Sequence, residues 1–414
     1  MDQSTRWIGL SLGADICWPI CFEEILRRLN LDLVYNGERI ALDVERVTIE
    51  PFSLDKPVKY DVVIDRLTHW YHTSREWIKK IVALNDVYVF NNPWTLQSME
   101  KHTSYCAMMR LGMPVPDTWM LPPKAYVATD DLKPTLQRYA RLFDLGEIGR
   151  ELSYPMFMKP YDGGAWRGVS KIQDEETLRE KYESSGTLVM HLQKAVDPFD
   201  SFVRCIGLGP QTRLVDYDPA APLHDRYRPT TDFLPADQQQ HLRDITLTIN
   251  AFFGWDFNSC ESLRQGGCWY PIDFANACPD SQVTSLHYHF PWLIKANLRW
   301  SIFNAVTRRG VRYMPDWQPF FEIARDTDRG FEDKLKDYVA IAHQRFETER
   351  FEAFCAEYLG HLDEVAYDFF GTDQCRDAVE QKVEVLFPTH EVGTFTDLFY
   401  GRIQAWREAE GRPQ

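Results

Sequence analysis

What the sequence lacks narrows it first. It has no excess of positive charge: 46 Lys and Arg stand against 61 Asp and Glu, a formal net charge of -15. Nucleic-acid binding needs a basic face to meet phosphates, so no nucleic acid is expected as a partner. No basic block suggests an anionic lipid surface either. Long apolar runs are missing, none approaching the roughly 20 residues that span a bilayer, so no membrane partner is expected. The N-terminus (MDQSTRWIGLSLGAD) has no basic region ahead of an apolar core, as a signal peptide would. The nine cysteines are odd in number and form no CxxC pair, which reads as reduced, buried thiols and a cytoplasmic protein. Two common nucleotide loops, GxxxxGK[ST] and GxGxxG at a strand-to-helix junction, are absent. So is the GxSxG nucleophile turn.

What is there favours folding. The chain has 414 residues, 44% of them apolar, with 13 Trp, 19 Tyr and 25 Phe. That is enough to bury a substantial core, and disordered chains are poor in such residues. Over residues 1–90 strand and helix alternate. Trp7–Asp15 reads as a strand and glycine turn, and residues 22–35 as an amphipathic helix with Ile25, Leu26 and Leu29 on one side. A strand centres on Val62–Ile64. A helix over 73–84 takes a Ser or Thr cap, and a third strand ends at Asn91-Asn92-Pro93. This pattern predicts a small parallel α/β lobe. Residues 91–300 alternate hairpins with helices. They include a helix closed by Gly112, a strand–glycine turn–strand over 154–172, a long helix over 235–254 and a hairpin turning at Gln265–Gly267. From about Leu293 the pattern is helical. The expected fold class is α+β, with three regions: an N-terminal lobe (1–90), a central region (91–300) and a mostly helical C-terminal region (301–414).

Two stretches carry chemistry. In the first, MFMKPYDGGAWRG, Lys159 follows an apolar strand, and Gly163, Gly164 and Gly168 make the next turn permissive. Glycines let backbone N–H groups approach an anion, and a strand-end lysine adds a point charge. The plain alternative is a β-hairpin with a surface lysine. In the second, Glu261 lies on one hairpin strand, and Asp273 and Asn276 close the other within IDFANACPD. Magnesium takes hard oxygen ligands alongside nucleotide phosphates. The plain alternative here is an edge hairpin with solvated acids, weakened by the apolar neighbours of Asp273. His287 and His289 would share a strand face if extended. Packing is favoured there over a zinc pair, since no further ligand falls at metal spacing.

In order and spacing, these motifs resemble the ATP-grasp family, of the glutathione synthetase and ribosomal-protein modification ligase type. The resemblance runs over about residues 1–300 and is densest over 91–280. It implies an ATP-grasp fold, with ATP and Mg2+ as cofactors. Lys101 would be the first ATP-contacting lysine, with Gly112, Pro114, Pro116 and Thr118 matching the lead-out that follows. Lys159 would contact the α/β-phosphates, under a loop containing Gly163, Gly164 and Gly168. His191, Leu192 and Gln193 would supply backbone contacts to adenine, where the family often has an acidic residue in place of His191. Asp200 and Arg204 match a recurrent acid–base pair. Arg204, Arg213 or Arg226 would steady the γ-phosphate or an acyl phosphate. Glu261, Asp273 and Asn276 would hold the metal. The implied reaction activates a small-molecule carboxylate as an acyl phosphate and joins it to an amine.

Two rivals stand beside this reading. One is a kinase acting on a small-molecule hydroxyl such as an inositol phosphate, since YDVVIDRLT resembles the first-lobe strand of such kinases. The other is a non-catalytic nucleotide- or partner-binding protein, which departures from the family pattern motivate. The family's carboxylate stands two before its asparagine. Here Asp273 stands three before Asn276, and Asp280 replaces the closing glycine. Residues three apart on a regular strand face opposite ways. A bulge between Asp273 and Asn276 is therefore expected, turning both side chains the same way.

Overall fold

The computed structural model describes residues 3–13, 15–48, 51–68, 71–98, 100–161, 168–276 and 278–412. In chain order, β1 (Gln3–Ser11) leads to α1 (Cys17–Leu29). Asn30, in the left-handed region at φ 43°, ends that helix. Residues 33–35 are therefore not its last turn, as the sequence reading had it. They form β2 (Leu33–Tyr35), paired antiparallel with β3 (Glu38–Arg46) across Asn36-Gly37. Both turn residues have positive φ, the requirement of a tight two-residue hairpin. Then come β4 (Val62–Asp65), α2 (His72–Asn85) and β5 (Tyr88–Phe90). The expected Ser or Thr cap on α2 is not made: Tyr71 sits at the cap with no side-chain hydrogen bond.

The helix expected before Gly112 is split into α3 (Pro93–Ser98) and α4 (Lys101–Arg110). Next are β6 (Thr118–Leu121), α5 (Leu132–Tyr139), α6 (Leu145–Leu152), β7 (Met156–Pro160), β8 (Ser170–Ile172), α7 (Glu175–Ser184) and β9 (Met190–Lys194). The chain continues through β10 (Ser201–Leu208), β11 (Gln211–Asp216), α8 (Ala236–Phe253), β12 (Phe257–Gln265) and β13 (Cys268–Asp273). The rest is helical: α9 (Val283–Leu286), α10 (Phe290–Thr307), α11 (Gln318–Ala324), α12 (Phe331–Phe346), α13 (Thr348–Tyr358), α14 (Leu362–Phe369), α15 (Asp373–Leu386) and α16 (Val392–Glu410). The class is α+β. None of the described helices is long and apolar enough to cross a membrane.

The chain forms two compact units that do not follow its linear order. The first takes residues 1–98, 203–260 and 276–414. Its sheet runs β2-β3-β1-β4-β5, with β3, β1, β4 and β5 parallel. It also holds the β10–β11 hairpin. Gly207 lets α8 lie close on that hairpin: a Cβ there would fall 2.3 Å from Asn250 Nδ2. The second unit takes residues 99–202 and 261–275. Its sheet, β6-β9-β7-β8, is antiparallel throughout. Met156, Met158, Met190 and Leu192 point from it into a core with Ile148, Leu152 and Leu178 of α6 and α7. Alternation along the strands turns Lys159, His191 and Gln193 to the other face.

Candidate functional site

That polar face of the second unit is where the expected lysines and carboxylates gather. Thr118 pairs with Gln193, and Lys159 with His191, in the strand register. Lys159 is 9% exposed. Its ammonium donates to Tyr105 Oη and Gln193 Oε1, both at 2.8 Å. Gln193 Nε2 in turn donates to Thr118 Oγ1 at 2.9 Å. Burial and the neighbouring Lys101 pull Lys159 down to about 8, although Asp273 and Glu261 oppose the shift. Lys101, at the start of α4, donates to Asp273 Oδ2 at 2.7 Å.

A bulge sets the carboxylates. Ser262 pairs with Pro271, but Glu261 pairs with Asp273, so Ile272 is an extra residue in β13. Regular pairing would set Ile272 opposite Glu261; the bulge sets Asp273 there instead. The extra residue of a bulge loses its ladder partners, and the carbonyl of Ile272 is taken by Tyr105 Oη at 2.8 Å and Lys159 Nζ at 3.4 Å. The bulge therefore precedes Asp273, rather than falling between Asp273 and Asn276 as expected. Beyond Asp273 the strand stops, and residues 274–276 are irregular. Tyr105 packs edge-on against Phe274, ring centres 5.4 Å apart. Tyr105 is a member of this cluster that sequence reasoning missed. Its one signal was its place on α4, four residues after Lys101.

His191 is fully buried, 6.1 Å from the His102 ring and 5.9 Å from that of Tyr105. Among the described residues, neither of its ring nitrogens has a hydrogen-bond partner. Burial, with Lys159, His102 and Lys101 near it, pushes the ring down to about 3, so it is neutral. Leu192 is turned into the core. Asp200 accepts from Arg264 Nε at 2.6 Å at the surface of the same unit. Gly168 has φ +72° and lies against Pro160. Gly163 and Gly164 lie outside the described residues.

The remaining expected residues belong to the first unit. The Asn276 backbone N–H donates to Asn258 Oδ1 at 3.0 Å, and its side-chain amide donates to Ser259 O at 3.3 Å. Arg204 hydrogen-bonds Tyr227 Oη and lies over the Tyr217 and Tyr227 rings. Arg226 Nε donates to Ala221 O at 3.1 Å. Arg213 Nε donates to His289 Nδ1 at 3.2 Å, and its Nη2 is buried with no partner among the described residues. His287 and His289 are not on a strand but in a 3-10 turn. Their Nε2 atoms lie against the carbonyls of His224 and Arg228. Among the described residues no three His, Cys, Asp or Glu side chains are grouped to hold a metal.

No protein-family model matches the chain, and no curated protein matches it. Among solved structures it is similar to a RimK-domain ATP-grasp protein from Sphaerobacter thermophilus, at 11% identity over 66% of this chain and 92% of that one, TM-score 0.47. It is similar to D-alanine–D-alanine ligase from Bacillus anthracis complexed with ATP, at 14% identity over 74% and 98%, TM-score 0.44. It is also similar to the macrocyclase MdnC from Microcystis aeruginosa, bound with its precursor peptide, at 11% identity over 72% and 100%, TM-score 0.48.

Proposed function

We propose that the chain is an ATP-dependent carboxylate–amine ligase of the ATP-grasp type. The observation that carries this reading is the grouping in one unit of Lys101 and Lys159 with the facing carboxylates Glu261 and Asp273. Two ammonium groups suit a polyphosphate. Two oxygen ligands suit a magnesium ion that arrives with it, since magnesium is commonly held by one or two carboxylates plus substrate phosphates. Glu261, Asp273 and Asn276 are the residues that would hold Mg2+, which when bound would neutralise charge on the phosphates.

The protein's own part is positioning and electrostatics. Lys101 exchanges Asp273 for phosphate, and Lys159, fixed by Tyr105 and Gln193, holds a second phosphate oxygen. The β9 segment from His191 to Gln193 would lie beside the base, with Asp200 beyond it, although its backbone is already paired with β6 and β7. The loop of Gly163, Gly164 and Gly168 covers the nucleotide and limits hydrolysis. Arg204, Arg213 and Arg226 are the candidates to steady the transferred phosphoryl group or the acyl phosphate. The γ-phosphoryl group passes to a substrate carboxylate. An amine then attacks the acyl carbon, phosphate leaves, and an amide forms beside ADP.

The test is ADP release across a panel of small carboxylates and amines, with mass spectrometry of the products. An amide with ADP and free phosphate is the expected result. ADP with a phosphorylated alcohol makes the chain a kinase. Nucleotide binding with no ADP from any pair makes it a binding protein, in which the Lys101–Asp273 pair is permanent.

A further inference from the structure

We propose that the first unit carries a binding site of its own, a cavity for a small organic anion with an apolar body. The cavity encloses about 270 Å³, just under the roughly 300–1,000 Å³ of drug-sized pockets. It lies where α2, α8, α10 and α12 end and residues 311–316 pass. Val82, Val89, Val311 and Phe346 give it apolar walls; Arg312 and Arg345 give it charge.

The charges on its wall do not cancel. Asp256 is already occupied: it accepts from Tyr88 Oη at 2.8 Å and Trp300 Nε1 at 3.0 Å, with Arg309 at 3.8 Å. Arg309 is further paired with Glu347 at 3.0 Å. Asp316 is committed to the start of α11, where Oδ1 accepts from the Gln318 N–H at 3.0 Å. Arg345 donates to the carbonyls of Ala251, at 2.9 Å, and Asp316. Those oxygens take its protons but bring no net charge. Burial and the like charge of Arg312 push Arg345 down to about 10, a pull that Asp316 only partly offsets. Counting the wall, Arg309, Arg312 and Arg345 against Asp256 and Asp316 leave one positive charge (3 − 2 = 1), in a chain whose net charge is -15.

Helix C-termini disfavour anions, and four helices end around this cavity. The arginines answer this directly. Arg345 caps a carbonyl in the last turn of α8, and Arg309 caps that of Arg345 near the end of α12. An anionic head group placed between Arg312 and Arg345 relieves their mutual repulsion, and its body covers the valines and Phe346. A carboxylate and a phosphate share this chemistry.

The full-length chain is titrated calorimetrically with benzoate, with phenyl phosphate and with neutral benzamide. One anion per chain is expected to bind saturably, at least tenfold tighter than benzamide, and the tighter of the two anions assigns the head group. Arg312 is exposed, so R312E leaves the fold intact; it is expected to weaken the anion at least tenfold, while R312K stays within about threefold. K159M, altered only in the proposed nucleotide cluster, is expected to bind the anion as wild type does. The proposal is overturned if neither anion saturates, or if R312E binds as tightly as wild type. Either result leaves the ligase reading standing, because no step here uses ATP.

Discussion

Glu261 and Asp273 stand directly opposite one another across the β12–β13 hairpin because Ile272 is an extra residue between Pro271 and Asp273. Opposite residues of an antiparallel pair share a face, so the bulge makes a two-carboxylate edge from a strand that would otherwise set isoleucine against Glu261. Substituting either acid should therefore be felt mainly in metal dependence. For D273N and E261Q, the magnesium concentration giving half-maximal ADP release should rise at least tenfold. D273N keeps an acceptor for Lys101 and should cost only about 1 kcal/mol of stability by urea unfolding. An unchanged magnesium requirement in both variants removes these residues from the metal site.

Lys159 supplies a pH signature. Its ammonium is held down to about 8, chiefly by burial. Only the charged form attracts phosphate, and a lysine loses its charge as pH rises through its pKa. Affinity for ATP should then be flat from pH 6 to 7 and fall above about 8, as read by calorimetry. K159M should bind weakly at every pH and lack the step. A wild-type affinity that stays constant to pH 9.5 contradicts the assignment.

Much of this was legible in the sequence, for a definite reason. Strands and helices with one apolar face announce themselves by period, so β4, β7, β9, α7 and α8 are where the pattern put them. Lys159 could be read because it ends an apolar strand beside glycines. The errors came where local turn chemistry outranked periodicity. The apolar pattern of residues 22–35 ran on through Asn30, which ends α1, and the Asn36-Gly37 hairpin signal went unused. Tyr105 was invisible because it looks like any buried aromatic of a helix. Its role comes from Lys159 and the carbonyl of Ile272, which are 54 and 167 residues away in sequence. A bulge was anticipated from the Asp273–Asn276 spacing, but its position depends on pairing with β12, which spacing alone does not encode.

Gly209 should be among the least replaceable glycines. It opens the two-residue turn between β10 and β11 at φ +56°, and a Cβ there would lie 2.6 Å from the buried Trp300 ring. G209A carries both the left-handed backbone penalty and an overpacked contact. The expected loss is about 2–4 kcal/mol by urea denaturation. G266A has a positive φ but open space around it, so it should cost about 1 kcal/mol. Equal losses at the two positions remove the Trp300 contact as the cause.

The buried histidines should make the fold acid-sensitive in a defined window. Burial holds His191 and His289 down to about 3 and His287 to about 4, against an ordinary 6.5. The unfolded chain takes up these protons first as pH falls below about 6.5. Stability present above that pH should thus drain away between about 6.5 and 3, at up to ~1.4 kcal/mol per pH unit for each histidine. His191 separates stability from function. Its ring nitrogens have no partner among the described residues, so an apolar ring of similar shape removes an unmet desolvation cost. H191F should stabilise the chain by about 1 kcal/mol at pH 7 and flatten the acid slope by one proton. No contact to the nucleotide is assigned to the His191 ring, so ATP affinity should change less than about threefold. A destabilised H191F with an unchanged acid slope would show that the ring is hydrogen-bonded in solution.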